Sequence, residues 1–289
     1  MKVVLADSML AESANKVFNA HAAVSTLDAW MGVLAFSGQI FFDFAGYSTC
    51  AVGAALCLGF VLPQNFLYPY AAVGFSDFWR RWHITLSAWL RDYLYIPLGG
   101  NRNGKIRTYI NLMLTMLLGG LWHGANWTFV VWGGLHGFYL WVEKAIVDFR
   151  HRGMEPIALT SSGETGVHIH GISKPNLYRN FLIALFTFFL INVTWVFFRA
   201  TNFHDAWAIL TSMFGGMKGG EAMLTTLAMI KVGVIVILMV IVHWLMRNTR
   251  TLDVVAKLPW WLVGIFWSMI LVMLIWSQES SSSFIYFQF

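Results

Sequence analysis

The chain has 289 residues, of which 58% are hydrophobic and 11% charged, with 15 tryptophans and a formal net charge of +5. A soluble domain carries about 25% charged residues, so this composition and the mean hydropathy of +0.62 indicate an integral membrane protein. The two cysteines, Cys50 and Cys57, are too far apart on one helix for a disulfide. We predict that both are packing residues and that no metal or redox site is present.

Several apolar windows are long enough to cross a bilayer, which takes about 20 residues. No cleavable signal is evident, because polar residues interrupt the first 18 positions, and residues 1–28 are predicted to form a polar lead-in helix. The predicted spans are residues 29–47, 182–198, 228–244 and 262–276. Residues 109–122 and 127–142 predict a hairpin that enters and leaves the membrane, and residues 51–62 a re-entrant segment. The prediction is one all-α membrane domain over residues 1–289.

Charge predicts the orientation of this domain. Cations gather before residue 109, beside residues 148–180, and between the last two spans, whereas residues 200–223 carry one lysine against two acids. By the positive-inside rule the three cationic regions are cytoplasmic and residues 200–223 lie outside, as does the tail after residue 276. Residues 148–180 form the cytoplasmic loop between the segments 29–147 and 181–289. Its histidines, His168 and His170, lack a third ligand and predict no metal site.

An amphipathic segment, SDFWRRWHITLSAWLRDYLYIPLGG, precedes the hairpin. We predict one interfacial helix from Ser76 or Asp77 to Pro97. At 100° per residue its apolar stripe contains Trp79, Trp82, Leu86, Trp89, Leu90 and Tyr93. His83 lies at the edge of this stripe, and two interpretations stay open: an interfacial hydrogen bond to a backbone carbonyl, or a polar group directed into a cavity. Positive-inside anchoring or contact with the phosphates of an anionic donor would explain the cations Arg80, Arg81 and Arg91.

His123 is the strongest candidate for chemistry. It lies in LLGGLWHGANWTFVVWGGLHG, where glycines permit close packing or a helix break, and an ionisable residue at membrane depth indicates a functional site. Thirteen residues later, His136 is interpreted as a supporting contact. The buried carboxylate of Asp43 requires a partner such as an arginine, a backbone group or a hydroxyl. Because no P-loop, G-x-G-x-x-G, H-E-x-x-H or G-x-S-x-G motif is present, the chemistry expected is direct acyl or group transfer supported by a histidine base.

The stretch FSDFWRRWHITLSAWLRDYLYIPLGGNRNGKIRTYINLMLTMLLGGLWHGANWTFVVWGGLHG closely resembles the membrane-bound O-acyltransferase family. It looks most like the branch that contains the bacterial alginate O-acetyltransferase membrane subunit, as do FFDFAGYS and the terminal FIYFQF. Family members are longer, so we expect the sequence to be an N-terminally truncated form or an internal start.

The resemblance implies a multi-pass bacterial inner-membrane enzyme with interfacial and re-entrant helices around a tunnel. His123, in the WHG motif, would be the catalytic residue, and His83 would line the same reaction centre. The donor would be cytoplasmic acetyl-CoA, with no bound cofactor, and the acceptor an exported polysaccharide, alginate or similar. An SGNH-type periplasmic partner, a polysaccharide-export complex and membrane lipid would be partners, and nucleic acid would not. Trp82, Trp122 and Asn126 are further candidates for lining the tunnel.

Two other functions stay open from the sequence. Buried histidines also serve proton relays and substrate sites in transporters and channels, although no internal repeat of the WHG segment is found. A non-catalytic scaffold in a polysaccharide-export complex is the third possibility.

Overall fold

A computed structural model describes residues 1–20, 23–151, 176–216, 220, 222–249 and 251–276. Within these ranges the chain is helical and has no strand, which confirms the predicted all-α class. The loop histidines His168 and His170 and the terminal FIYFQF lie outside them. The α-helices are α1 (Ala11–Phe18), α2 (Thr26–Cys57), α3 (Phe75–Trp79), α4 (Ile84–Leu90), α5 (Lys105–His123), α6 (Trp127–His151), α7 (Leu177–Arg199), α8 (Phe203–Met213), α9 (Thr226–Met246), α10 (Thr251–Val255) and α11 (Trp260–Trp276). Two π-helical segments, Lys2–Leu10 and Arg91–Tyr95, and a 3-10 turn, Pro69–Ala71, complete the described helical structure.

Three of these helices are long and apolar enough to cross a membrane: α2, α7 and α9. They coincide with the predicted spans at residues 29–47, 182–198 and 228–244. The fourth predicted span corresponds to α11, a shorter apolar helix whose large side chains are mostly exposed. The prediction of a membrane helix bundle is therefore confirmed.

Helix α2 is longer than its apolar window. Its 32 residues give a length of about 48 Å, and the segment Ala51–Cys57, predicted to be re-entrant, is its last two turns. The prediction failed because the polar residues Ser48 and Thr49, just before this segment, interrupt the apolar run without breaking the helix: the Thr49 hydroxyl donates to the carbonyl of Ala45, 2.7 Å away, one turn back. Cys50 and Cys57 are exposed and unpaired on this extension, so the prediction that they pack inside the protein is wrong.

The predicted polar lead-in contains helical segments that pack against α2. The contact is close, since a Cβ on Gly32 of α2 would overlap the side chain of Val17. Lys2 forms an ion pair with the buried Asp43. One partner of this carboxylate is therefore a lysine, a cation that was not among the examples predicted.

The two ends of α9 mark opposite ends of the bundle. Just before its first turn, the backbone N–H groups of Met223 and Leu224 donate to the side chain of Asp28. After its last turn, Arg247 pairs with Asp77 at 2.8 Å. A helix of 21 residues separates these contacts by about 32 Å. Arg247 also accepts, through its carbonyl, a hydrogen bond from Arg81. Two of the predicted cytoplasmic regions therefore meet, and we call this side of the bundle the cationic end.

The predicted single amphipathic helix is wrong. Helix α3 ends at Trp79, α4 begins at Ile84, and π-helix follows from Arg91. The predicted apolar stripe is consequently divided: Trp82 is buried, whereas Trp89 and Tyr93 are exposed. A constant step of 100° per residue cannot continue through the left-handed backbone of His83, at φ 42° and ψ 56°.

Candidate active site

The backbone break at His83 is held by a segment upstream in the chain. The N–H of Ile84 donates to the carbonyl of Asn65, and the Asn65 side-chain oxygen accepts from the N–H and the hydroxyl of Thr85. Leu67 likewise donates its N–H to the carbonyl of Arg81. These bonds replace those that a continuous helix would make, so the break leaves the backbone hydrogen-bonded.

The ring of His83 is largely enclosed. It packs edge-on against Phe44 of α2, with ring centroids 4.7 Å apart, and its Nδ1 lies 3.5 Å from the Thr85 hydroxyl. Burial lowers the pKa of His83 to about 4. The imidazole is therefore neutral near pH 7 and can accept or donate a hydrogen bond without carrying charge. Left-handed backbone at a residue other than glycine is strained, and such strain concentrates at functional sites.

His123 is the last residue of α5, at the break that glycines predicted. Gly124 ends the helix, and α6 begins at Trp127. The ring of His123 packs against Trp132 and Phe198, with centroid distances of 5.2 and 5.1 Å. His83 lies within electrostatic range of this ring. The two histidines selected from the sequence thus lie in neighbouring parts of the structure, each beside a break in its helix.

Close packing of α5 on α6 sets the position of this break. Gly133 and Gly137 form a small-xxx-small pair on α6, which lets two helix backbones approach. A Cβ on Gly133 would overlap the carbonyl oxygen of Met116, and one on Gly120 would overlap that of Phe129. The predicted hairpin is therefore present, and its two helices run back to back along the glycines.

An aromatic cluster joins the two histidine-bearing segments. It consists of Trp82 from the break before α4, Trp132 from α6, and Trp195 and Phe198 from α7. Trp82 contacts Trp195 at 5.1 Å between ring centroids, Trp195 contacts Phe198 at 5.3 Å, and Phe198 contacts Trp132 at 5.3 Å. This cluster packs the core between the two breaks and excludes water from it.

The other sequence candidates occupy different surroundings. Trp82 is buried in the aromatic cluster, as expected for a lining residue, whereas the side chain of Trp122 is 57% exposed. Asn126 donates from its amide to the carbonyl of Thr201, and its side-chain oxygen accepts from the N–H of Thr128 before α6. Thr201 follows α7 on the side away from the cationic end. Asn126 thus ties the hairpin turn to that side.

The three arginines also differ. Arg81 is engaged by the protein, since it pairs with Asp77 at 2.9 Å and donates to the carbonyls of Leu67 and Arg247. Arg91 forms an exposed pair with its neighbour Asp92, and Arg80 donates to a carbonyl within its own helix. Only the last two present exposed guanidinium groups.

Two cavities adjoin one another between the α3–α4 segment and the hairpin. The first has a volume of about 300 Å³ and is lined in part by the polar side chains of Ser76, Glu143 and Lys144. The second, of about 230 Å³, has mainly apolar walls, among them Trp79 and Met116. Tyr95, Leu112 and Leu140 line both. Glu143 accepts the N–H groups of Phe75 and Ser76 at the start of α3, which places the first cavity at the cationic end.

Sequence reasoning missed the groups that support the site. Glu143 and Asn65 have no local signature, because their partners are distant in the chain. His243, on α9, accepts the N–H of Tyr70 through its Nδ1. A signal did exist for Asn192 and Thr194, polar residues inside an apolar span: Asn192 accepts from Ser37, and Thr194 bonds to His136. Among the residues that the structure describes, no group of three or more metal-ligating side chains is found.

A bundle of apolar helices around buried histidines is the architecture of a membrane-embedded acyltransferase, and comparison with known proteins gives the family. The sequence model of MBOAT, the membrane-bound O-acyltransferase family, matches residues 2–178. The chain belongs to this family, as its resemblance predicted.

Relatives of the chain include bacterial proteins named as O-acetylases and O-acetyltransferases. The chain is 46% identical over 214 residues to the probable alginate O-acetylase AlgI of Azotobacter vinelandii, covering 74% of the chain and 38% of that protein. It is 42% identical over 238 residues to its counterpart in Pseudomonas aeruginosa, covering 82% and 41%. It is also 43% identical over 215 residues to the peptidoglycan O-acetyltransferase of Helicobacter pylori, covering 74% and 36%. The chain thus spans about two fifths of the length of these relatives.

Proposed function

We propose that the chain forms the catalytic part of a membrane O-acetyltransferase of the bacterial inner membrane. It would take an acetyl group from acetyl-CoA on the cytoplasmic side, at the cationic end. It would deliver the group on the other side, for O-acetylation of an exported polysaccharide, alginate or a similar polymer. No bound cofactor is required, because acetyl-CoA is a substrate.

One observation carries this proposal: the break at His83 and the break after His123 flank one aromatic cluster, which lies between a cavity and the opposite side of the bundle. The cavities open at the cationic end, near Glu143, and extend to Met116 of α5. His123 lies two turns beyond Met116 on the same helix. Just past it, Asn126 bonds to Thr201, on the side away from the cationic end. This order suits a donor and an acceptor that approach from opposite sides.

His123 would act as the general base. It accepts the proton of the acceptor hydroxyl while that oxygen bonds to the acetyl carbonyl carbon; the C–S bond then breaks, and the proton passes to the leaving thiolate. A positioned base of this kind contributes typically 10²–10⁴-fold to the rate. His83, neutral and fixed by the backbone break, would hold or polarise one reactant.

The remaining sequence candidates receive supporting roles. Trp82 would line the reaction centre from its buried position, and Trp122 and Asn126 would line the exit. Arg80 and Arg91 are the better candidates for the donor phosphates, because their side chains are exposed, although Arg91 also pairs with Asp92, whereas Arg81 is largely enclosed in its pair with Asp77. An exposed guanidinium group binds phosphate through charge-assisted hydrogen bonds.

The names of the relatives support the acceptor class. Two are named for alginate and one for peptidoglycan, both glycans of the envelope. We propose that a periplasmic SGNH-type acetyltransferase and a polysaccharide-export complex complete the transfer.

The test compares the unmodified chain with His123→Ala in vesicles supplied with radiolabelled acetyl-CoA and alginate oligosaccharides. We expect His123→Ala to lower label transfer by about 100-fold or more, as loss of a general base should. His204→Ala is the matched control, because that side chain is 93% exposed. Equal transfer by the unmodified chain and His123→Ala would contradict the assignment. Solute flux without label transfer would instead favour a transporter.

A further inference from the structure

Leu90 lies between the second cavity and the last turn of α5. Leu90 and Met116 both line that cavity, whereas His123 lines neither cavity. On α5 the residues Met116, Gly119 and His123 follow one another at spacings of three and four, so they share one face of the helix. The space assigned to the donor therefore ends on the face of α5 that carries the proposed base, but before the base itself.

The side chain of Leu90 fills the interval. Gly119 presents bare backbone one turn before His123, and a Cβ built there would lie 3.3 Å from Cδ1 and 3.9 Å from Cδ2 of Leu90. Both methyl groups thus lie close to Gly119, and Leu90 is buried. The Cα–Cβ bonds of a helix tilt towards its N-terminus, so the side chain of His123 leaves the backbone in the direction of Gly119. Leu90 consequently occupies the space that a thioester must enter to reach His123 from the cavities.

The group that fills this space has the size of an acetyl group. The end of a leucine side chain is one carbon that bears two methyl groups. An acetyl group is one carbon that bears a methyl group and an oxygen, so each has three heavy atoms in a similar branched arrangement. Rotation of Leu90 away from Gly119 would make room for an acetyl group. A longer chain would require further displacement, because protein interiors are close-packed and respond to a change of even one methylene.

We propose that Leu90 is a specificity-determining residue that limits the transferred acyl group to acetyl. The donor displaces the end of the Leu90 side chain, and the acetyl group takes its place on Gly119, one turn from His123. Gly119 forms the floor of this acyl site, since any other residue would place a Cβ in it. The inference rests on the proposed function, because it requires a thioester that enters from the cavities.

Four variants test this site: Leu90→Ala, Gly119→Ala, the double variant of both, and Leu118→Ala. The last is the matched control, because it removes the same atoms beside Gly119 from a side chain that is 45% exposed. Acyl transfer in vesicles would be compared for acetyl-CoA and hexanoyl-CoA. Binding of the thioethers S-ethyl-CoA and S-hexyl-CoA, which have no transferable acyl group, gives a readout independent of turnover. The Tm in detergent shows whether each variant is folded.

We expect the unmodified chain and Leu118→Ala to favour acetyl-CoA over hexanoyl-CoA by about 100-fold in kcat/KM, and Leu90→Ala to reduce this preference about tenfold or more. The reason is that a single methylene in an apolar site changes selectivity by about 10–200-fold. Gly119→Ala should lower transfer from acetyl-CoA about tenfold, because its Cβ occupies the acyl site. The double variant should recover most of that transfer, since loss of the Leu90 side chain makes room for the added Cβ.

An unchanged preference in folded Leu90→Ala would overturn the inference, and continued acetyl transfer by that variant would leave the proposed function intact. If Leu90→Ala does not fold, Leu90→Val shortens the side chain by one carbon and should shift the preference in the same direction; no shift would again overturn the inference. Tighter binding of S-hexyl-CoA to Leu90→Ala without any acyl transfer would support the inference and contradict the proposed function. Absence of both binding and transfer in the unmodified chain would contradict both.

Discussion

The helix break at His83 and the one after His123 flank one aromatic cluster, but different interactions maintain the two breaks. At His83 the backbone is left-handed, and polar groups of a segment upstream in the chain, above all Asn65, form the hydrogen bonds that the interrupted helix lacks. After His123 the break follows a helix pair packed along glycines, such as Gly120 and Gly133. The first break depends on hydrogen bonds between distant parts of the chain and stores strain. The second depends on the close packing of two helix backbones at their glycines.

This difference predicts that the hairpin tolerates added volume at some glycines and not at others. Gly133→Ala should destabilise the protein by about 1–3 kcal/mol, because its Cβ would meet the Met116 carbonyl oxygen and one backbone would have to move. Gly134→Ala is the matched control, since its Cβ would lie 3.6 Å from the Leu117 side chain, an ordinary contact. Thermal unfolding in detergent measures both. Equal Tm values for the two variants would show that backbone contact does not hold the hairpin.

The sequence predicted the break after His123 but not the break at His83. Glycines on both sides of His123 and an ionisable ring in an apolar stretch are local signals, and they led to the correct hairpin, with His123 at its turn. Around His83 neither glycine nor proline occurs between Phe75 and Ile96, so local propensity predicts one continuous helix. The break exists because Asn65, eighteen residues upstream, supplies its hydrogen bonds, and such a partner cannot be read from periodicity.

The strain at the first break predicts a second, smaller difference. His83→Gly and His83→Ala both remove the ring and its contact with Phe44, so both should lose most acetyl transfer. They differ only in a Cβ held at φ 42°, which glycine lacks. Left-handed backbone costs a residue with a Cβ about 1–2 kcal/mol, partly offset by the greater freedom of glycine in the unfolded chain. We therefore expect His83→Gly to be about 1 kcal/mol more stable than His83→Ala.

Chemical denaturation of the two variants in the same detergent measures this difference. The variants are their own matched control, because every other contact of the lost ring is common to both. A stability for His83→Ala equal to or above that of His83→Gly would mean that the backbone at this position is unstrained. The break would then depend on hydrogen bonds alone.

The smallest expected effect concerns the hydrogen bonds between Asn65 and Thr85. It tests whether the break positions the ring of His83 for the reaction or serves only the stability of the fold. Thr85→Val removes the hydroxyl that donates to Asn65 at 2.6 Å but leaves the Thr85 N–H bonded to the same oxygen. We expect a loss of about 1 kcal/mol in stability and a fall of a few-fold in kcat, with KM for acetyl-CoA unchanged. A displaced imidazole should slow the chemical step more than it weakens donor binding. Thr85→Ser keeps the hydroxyl and should behave like the unmodified chain. If Thr85→Val instead raised KM and left kcat intact, the break would serve donor binding, and His83 would position the donor and not the reacting hydroxyl.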